Sequence, residues 1–159
     1  MIIRPANIQD TQLILSFISH LADYEKLSHE VVATEQQLQD TLFGEKKYAE
    51  VLIAETDEGE PAGFALFFHN YSTFLAQAGI HLEDLYVLNE FRGQGIGKTL
   101  LKHLASIALE RNCGRLEWNV LDWNSPAIDF YKSQGAIMMD GWTTNRVTGE
   151  ALINLAAEN

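Results

Sequence analysis

Apolar residues early in the chain recur every three or four positions: Leu13, Ile14, Phe17, Ile18 and Leu21, with Tyr24 near the same phase. That spacing predicts an amphipathic helix with one face on the core, and Asp10 or Thr11 stands where a capping oxygen is needed. Thr34 followed by Gln37 has the form of a capping box, so a second helix is expected from there to about Gly44. The period changes in the runs 1–5, 49–55 and 63–69, which are apolar or β-branched and read as strands. Pro5 ends the first by removing a donor. The stretch TDEGEP at 56–61 turns the other two into a hairpin, and residues 70–79 read as a loop.

From residue 82 the chain runs LEDLYVLNEFRGQGIG, whose first half alternates like a half-buried strand. An apolar-periodic segment, 98–112, follows as a helix stopped by Gly114, and 115–121 reads as a further strand. Ser125 is a plausible N-cap with Pro126 at the first helical position of a helix over 126–134 that carries Ile128, Phe130 and Tyr131. Residues 136–139 and 142–147 are expected to close the chain as an antiparallel pair around Asp140-Gly141. The order of elements is mixed α/β, without internal repeats.

Between strand and helix, Gly93, Gly95 and Gly97 fall within five residues. Such a turn lets backbone N–H groups at a helix start approach an anion, and the helix dipole adds to the attraction. Arg92 and Lys98 flank it with positive charge, although solvated surface charge is an equal account of Lys98.

Composition narrows the function. The 159 residues fit a single domain, 1–159, able to bury a core without disulfides or metal. With 11 Lys and Arg against 22 Asp and Glu, the formal net charge of -11 argues against nucleic acid as a partner and is compatible with a cationic substrate. No apolar run approaches a membrane span, so no membrane partner is expected. The single cysteine, Cys113, implies a reducing cytoplasm and a packing role. The five histidines are scattered without ligand spacing, and no metal is assigned.

LEDLYVLNEFRGQGIG, followed by LEWNVLDWNSPAIDFYKSQGA, resembles the acetyl-CoA-dependent GNAT N-acetyltransferase superfamily. Arg92-x-x-Gly95-x-Gly97 is similar to its R/Q-x-x-G-x-G/A pyrophosphate signature, and the stretch from Asn124 to Tyr131 to its N-x-x-A-x-x-x-Y segment. LADYEKL, the TE-x-x-L segment at Thr34, FGE at Phe43 and LEDLYV resemble, more narrowly, the diamine (spermidine/spermine) and thialysine acetyltransferases. The likeness covers about residues 3–142.

The resemblance implies a strongly twisted mixed sheet flanked by helices, splayed between a fourth strand at 80–88 and a fifth at 115–121. It implies acetyl-CoA as co-substrate in that gap. Backbone groups of Leu85, Tyr86 and Val87 would pair with the pantetheine, and Arg92, Gly93, Gln94, Gly95, Ile96, Gly97 and Lys98 would hold the pyrophosphate. Asn124, Ser125, Pro126 and Ala127 would line the other side. Glu83 becomes the candidate base for the amine and Tyr131 the acid for the departing thiolate. From the residues alone, Glu83 reads equally as a solvent-facing carboxylate and Tyr131 as core packing. A small cationic amine would meet Tyr24, Glu25, Glu83, Asp84 and Asp140, and a homodimer is expected. Another amine (an amino acid, a drug or a protein N-terminus) and a non-catalytic acetyl-CoA-binding regulatory module are the alternatives, the latter opposed by the presence of both Glu83 and Tyr131.

Overall fold

Local chemistry sets the N-terminal segment. In the computed structural model, which describes residues 1–157, β1 (Ile2–Pro5) leads into a 3-10 turn at Ile8–Asp10. Asn7 and Asp10 cap that turn reciprocally, and the Asp10 carboxylate also accepts from Arg4 at 2.8 and 2.9 Å. Asp10 is thus engaged before α1 (Thr11–Tyr24) begins, and neither it nor Thr11 supplies the expected side-chain cap; the Thr11 hydroxyl donates to Ile8 O. The box at Thr34 and Gln37 does form, opening α2 (Glu35–Leu42).

The chain forms two compact units, residues 1–121 and the remainder from 122. The first is built on a five-stranded sheet in the order β1-β2-β3-β4-β5, with β2 (Glu50–Glu55), β3 (Pro61–Ser72), β4 (Gln77–Val87) and β5 (Leu116–Trp118). The first four strands pair antiparallel and β5 joins β4 in parallel. The expected loop at 70–79 is mostly strand: β3 and β4 pair out to Ser72 and Gln77, leaving a four-residue turn at 73–76. Tyr71 and Asn70 alternate with Phe68 and continue the ladder, which composition alone disguised.

Alternation buries both faces. Ile14 and Phe17 of α1 pack with Leu42, Val51, Ile53 and Phe64, the rings of Phe17 and Phe64 stacking at 5.1 Å. On the other face lie Leu52, Phe67, Ile80 and Leu82, and α3 (Ile96–Glu110) buries Leu100, Leu101 and Leu104 against β3 and β4. Each such side chain contributes about 2 kcal/mol on burial. Asn112, at φ 55°, takes the left-handed position after α3 that Gly114 was expected to fill. Gly114 serves close approach instead, since a Cβ there would lie 2.8 Å from Leu75 Cδ1.

In the second unit α4 (Ser125–Ser133) and α5 (Gly149–Ala157) flank an irregular stretch, residues 136–148. The turn at Asp140-Gly141 forms, with Trp142 N donating to Met139 O, but the expected strand pair around it does not. Ile137, Met139, Trp142 and Val147 are all exposed, and a lone two-stranded hairpin without a buried face is marginal.

Candidate active site

The site is shaped by one extra residue in β4. Leu82 pairs with Phe67 while Asp84 pairs with Leu66, so Glu83 is left between them as a bulge. Adjacent residues of β3 point to opposite faces, so Leu82 and Asp84 do too, and every later residue of β4 changes face with them. Leu82 is buried on the α3 side, whereas Asp84 and Tyr86 lie on the α1 side, where Tyr86 packs against the Phe17 and Phe64 cluster. Glu83 is exposed, its carboxylate 3.5 Å from His81 Nε2. Two consecutive carboxylates therefore border one face.

The same register decides which backbone groups are open. Leu88 N donates to Ala62 O, and in an antiparallel ladder such bonded positions alternate. Asp84 and Tyr86 accordingly bond to β3, while Leu85 and Val87 turn their N–H and C=O toward β5. β5 pairs only with Ile80, His81 and Leu82, so beyond Leu82 the two strands part, as the expected splay requires. Of the three residues expected to meet the pantetheine, Leu85 and Val87 present backbone to the gap, and Tyr86 gives its own to Phe64. The fifth strand is shorter than the expected 115–121 for the same reason: past Trp118 it has no strand to pair with.

After a 3-10 turn at Asn89–Phe91 the chain enters the glycine turn. Gly93 and Gly95 have φ of 78° and 81°, and a Cβ at either would meet nothing within 4 Å, so the turn faces open space and its conformation calls for glycine. The α3 ladder starts with Thr99 N donating to Gly95 O. The N–H groups of Ile96, Gly97 and Lys98 precede it and lack a helical partner, a donor set that fits a pyrophosphate. Gly97-Lys98-Thr99 also resembles the end of a nucleotide-binding phosphate loop. Arg92 stands where that loop needs its first glycine, and the Thr99 hydroxyl donates back to Gly95 O at 2.9 Å.

Arg92 itself turns away from the glycines. Its Nε donates to Val87 O at 3.0 Å, and its guanidinium lies over two rings, 4.8 Å from the Tyr24 centroid and 5.2 Å from that of Tyr86. Tyr24 ends α1 and Glu25 caps it. Burial raises the Glu25 carboxyl above its ordinary range. Asp84 is pushed up to about 6, first by burial and then by the negative charge of Glu83 and Glu25. The structure thus brings Glu25, Glu83 and Asp84 close enough to act on one another's charge, with Tyr24 beside them under Arg92.

In the second unit Asn124, not Ser125, caps α4: it is buried and its Oδ1 accepts from Ala127 N. Ser125 and Pro126 form the first turn, and Tyr131 lies six residues after Ser125 on the half-buried side, its ring 5.5 Å from Phe130. Asp140 is exposed at the turn before Gly141.

The bulge and the Arg92 stack were missed from sequence. Glu-Asp in a strand carries no signal for an extra residue, and a stack across 68 positions leaves no local pattern; the aromatic and basic residues in LADYEKL, LEDLYV and FRGQG were its only trace.

The acetyltransferase (GNAT) family model matches residues 16–136. The chain is 41% identical over 168 aligned residues to the thialysine N-epsilon-acetyltransferase of Bos taurus, with 99% of this chain and 98% of that protein covered. It is 32% identical to an L-ornithine N5-acetyltransferase of Arabidopsis thaliana, covering 94% of this chain and 85% of the other. Among solved structures, an integron cassette protein from the mobile metagenome of V. cholerae superposes with a TM-score of 0.81 at 30% identity, covering 99% and 98% of the two chains. Glycine turn, splayed sheet and near-complete sequence coverage agree, and the chain belongs to the GNAT acetyltransferase family.

Proposed function

We propose that this protein transfers an acetyl group from acetyl-CoA to a primary amine of a small cationic molecule, a polyamine, a diamine or a lysine-like amino acid. The observation that carries the proposal is the open edge of β4, where Leu85 and Val87 face the gap beside the glycine turn and the carboxylates of Glu83 and Asp84 border the adjoining face. Relatives named for thialysine and L-ornithine acetylation support the amine class.

Acetyl-CoA, when bound, supplies the activated thioester. Leu85 and Val87 would hold its pantetheine amides, and the Ile96, Gly97 and Lys98 N–H groups its pyrophosphate. Asp84 and Glu25 bind the substrate as a cation; desolvated carboxylates near one another favour an external positive charge. Attack needs a neutral nitrogen, and amines with pKa near 10 are mostly protonated at neutral pH. Glu83 accepts that proton, directly or through water. The nitrogen bonds to the carbonyl carbon, the carbon–sulfur bond breaks, Tyr131 gives the leaving sulfur a proton, and the second proton of the nitrogen leaves through solvent, from which Tyr131 is reprotonated. The Val87 N–H, on the open edge, is placed to steady charge on the thioester oxygen.

The family match crosses both units, which supports 1–159 acting as one acetyltransferase domain. A homodimer is proposed as well, supported by the exposure of Ile137, Trp142 and Ile153 in the second unit, as is a cytoplasmic location, supported by a single cysteine. Among the described residues no helix is long and apolar enough to cross a membrane.

The test is acetyl-CoA-dependent thiol release with thialysine, lysine, ornithine, spermidine and a peptide amine. Turnover of one cationic small amine, lost in Glu83→Gln and Tyr131→Phe, is the expected result. Binding of acetyl-CoA without thiol release from any of them would overturn the proposal.

A further inference from the structure

A turnover that starts from an ammonium group leaves a proton on Glu83, and a carboxylate alone is a weak base for a catalyst working near neutral pH. An imidazole stands next to it. His81 lies two residues earlier on β4, its Nε2 3.5 Å from Glu83 Oε2, a separation that catalytic hydrogen bonds commonly close once substrate is bound. Its ring rests against Phe68, the residue opposite in register on β3, with centroids 5.1 Å apart. Only 20% of the His81 side chain is exposed against 57% for Glu83, so a held imidazole backs a carboxylate that is open to the amine.

The other polar groups on that face are either engaged or belong to the amine. On β5, Glu117 is in register with His81, but Arg115 Nε holds its carboxylate at 2.9 Å and Asn70 Nδ2 donates to it at 3.2 Å. From β3 the face receives Phe68 and Asn70, which do not titrate. From α1, His20 lies at the Tyr86 ring, and Glu25 after the helix end acts on Asp84. Among the described residues Glu83 is the one carboxylate within ion-pair distance of His81.

We propose that His81 is the proton-relay partner of Glu83, taking from its carboxyl the proton that the amine has given up and passing it to solvent. The inference rests on the acetyl-transfer reading and deepens it. An N–H bond of the ammonium breaks as an O–H bond forms on Glu83; that bond breaks as one forms at His81 Nε2, and the imidazolium releases the proton to water. No electrons change hands. A carboxylic acid is a stronger acid than an imidazolium, so the second transfer runs downhill and returns Glu83 to its basic form. His81 does not touch the amine and acts only through Glu83, as a positioning residue for its proton. The relay needs a neutral ring with its hydrogen on Nδ1, so protonation of His81 at low pH closes it.

The experiment compares His81→Gln, His81→Phe, Glu83→Gln and the His81→Gln/Glu83→Gln double variant, measuring kcat and amine KM by thiol release between about pH 5.5 and 8.5. His81→Phe keeps a ring against Phe68 and removes the base, which separates packing from proton transfer. Both His81 variants are expected to lower kcat at pH 7 by about tenfold with amine KM changed by less than about twofold. The rise of kcat through the neutral range in the parent should be absent from both. The double variant should be no worse than Glu83→Gln, because His81 acts only through Glu83. Unchanged kcat in His81→Phe, a lowered kcat that keeps the parent's pH profile, or additive losses in the double variant would each overturn the inference. If His81→Gln does not fold, His81→Phe decides by the same readouts. Failure of the acetyl-transfer reading itself looks different: the unsubstituted protein binds acetyl-CoA and releases no thiol with any amine.

Discussion

Leu82 and Asp84, two residues apart on one strand, point to opposite faces of the sheet. Their partners Phe67 and Leu66 are neighbours, and Glu83 between them is the bulge. The inversion places an apolar residue under α3 and a carboxylate on the α1 side, beside Tyr86.

Deleting Glu83 tests that relationship. With the extra residue gone, Asp84 follows Leu82 directly, and regular alternation keeps Asp84 opposite Leu66 and Tyr86 opposite Phe64 on the α1 side. Leu82 keeps its buried place opposite Phe67. The expected outcome is a deletion variant that still unfolds cooperatively, and Glu83→Gln, which keeps the bulge, should melt within a few degrees of the parent. Circular dichroism melts of the two variants check it, and loss of cooperative unfolding on deletion would mean that the extra residue does more than set the register.

Asp84 couples this geometry to pH. Its carboxyl has an ordinary value of 3.8 and stands near 6 in the folded chain. A native value above the unfolded one means that the folded state holds the proton longer. This contribution to stability is fully present below about pH 4, falls as pH rises to about 6 and is absent above. Asp84→Asn should therefore match the parent near pH 4 and exceed its stability at pH 7.5, by at most about 3 kcal/mol. Denaturant unfolding at the two pH values measures it. The same titration should lower the KM of a cationic amine as pH rises from 5 to 7, because the carboxylate that binds the cation becomes charged; in Asp84→Asn that dependence should disappear.

The glycines of the turn are not equivalent. Gly95 has φ of 81°, so Gly95→Ala should lose about 1 kcal/mol of stability and weaken acetyl-CoA by distorting the N–H groups that follow. At Gly97 a Cβ would rest 3.8 Å from Val87 Cγ2, an ordinary contact, and no positive φ is involved. Gly97→Ala should leave stability unchanged or slightly raised, alanine being the better helix former. Calorimetric titration with acetyl-CoA separates the two positions, and equal losses would show that the turn needs small residues generally and not a left-handed one at Gly95.

These cases mark how far the sequence could be read. The α1 stripe, the Thr34 box, the TDEGEP hairpin and the glycine turn depend on residues within a few positions of one another, and they stand where periodicity put them. The extent of β3 past His69 and the start of β4 were hidden, because Asn70, Tyr71 and Ser72 have loop-like composition and are held by cross-strand pairing. The closing hairpin at 136–147 had a strong turn signal, but a turn specifies only where strands would meet, and nothing beneath them is buried. Within the site, the positions of Glu83 and Asp84 in sequence were plain, while their sharing of a face depended on a bulge that only the register with β3 reveals.

The N-terminal cap offers the opposite pH signature from Asp84. Arg4 donates two hydrogen bonds to the Asp10 carboxylate and a third to Glu55, and this holds Asp10 below the usual carboxylate range, aided by Asn7 N. A depressed native value gives stability that is present above the unfolded value and is lost as pH falls through the native one. Asp10→Asn removes the charge and leaves Arg4 partly unpaired, which should cost about 2 kcal/mol near pH 7. The deficit should shrink as pH falls below about 4, where the unfolded parent takes up a proton that the native Asp10 still resists, so that the advantage of the ion pair fades. Parallel urea titrations at pH 7 and pH 3.5 provide the comparison. A deficit independent of pH would assign the role of Asp10 to shape and hydrogen-bond count alone, with the ion pair to Arg4 contributing nothing.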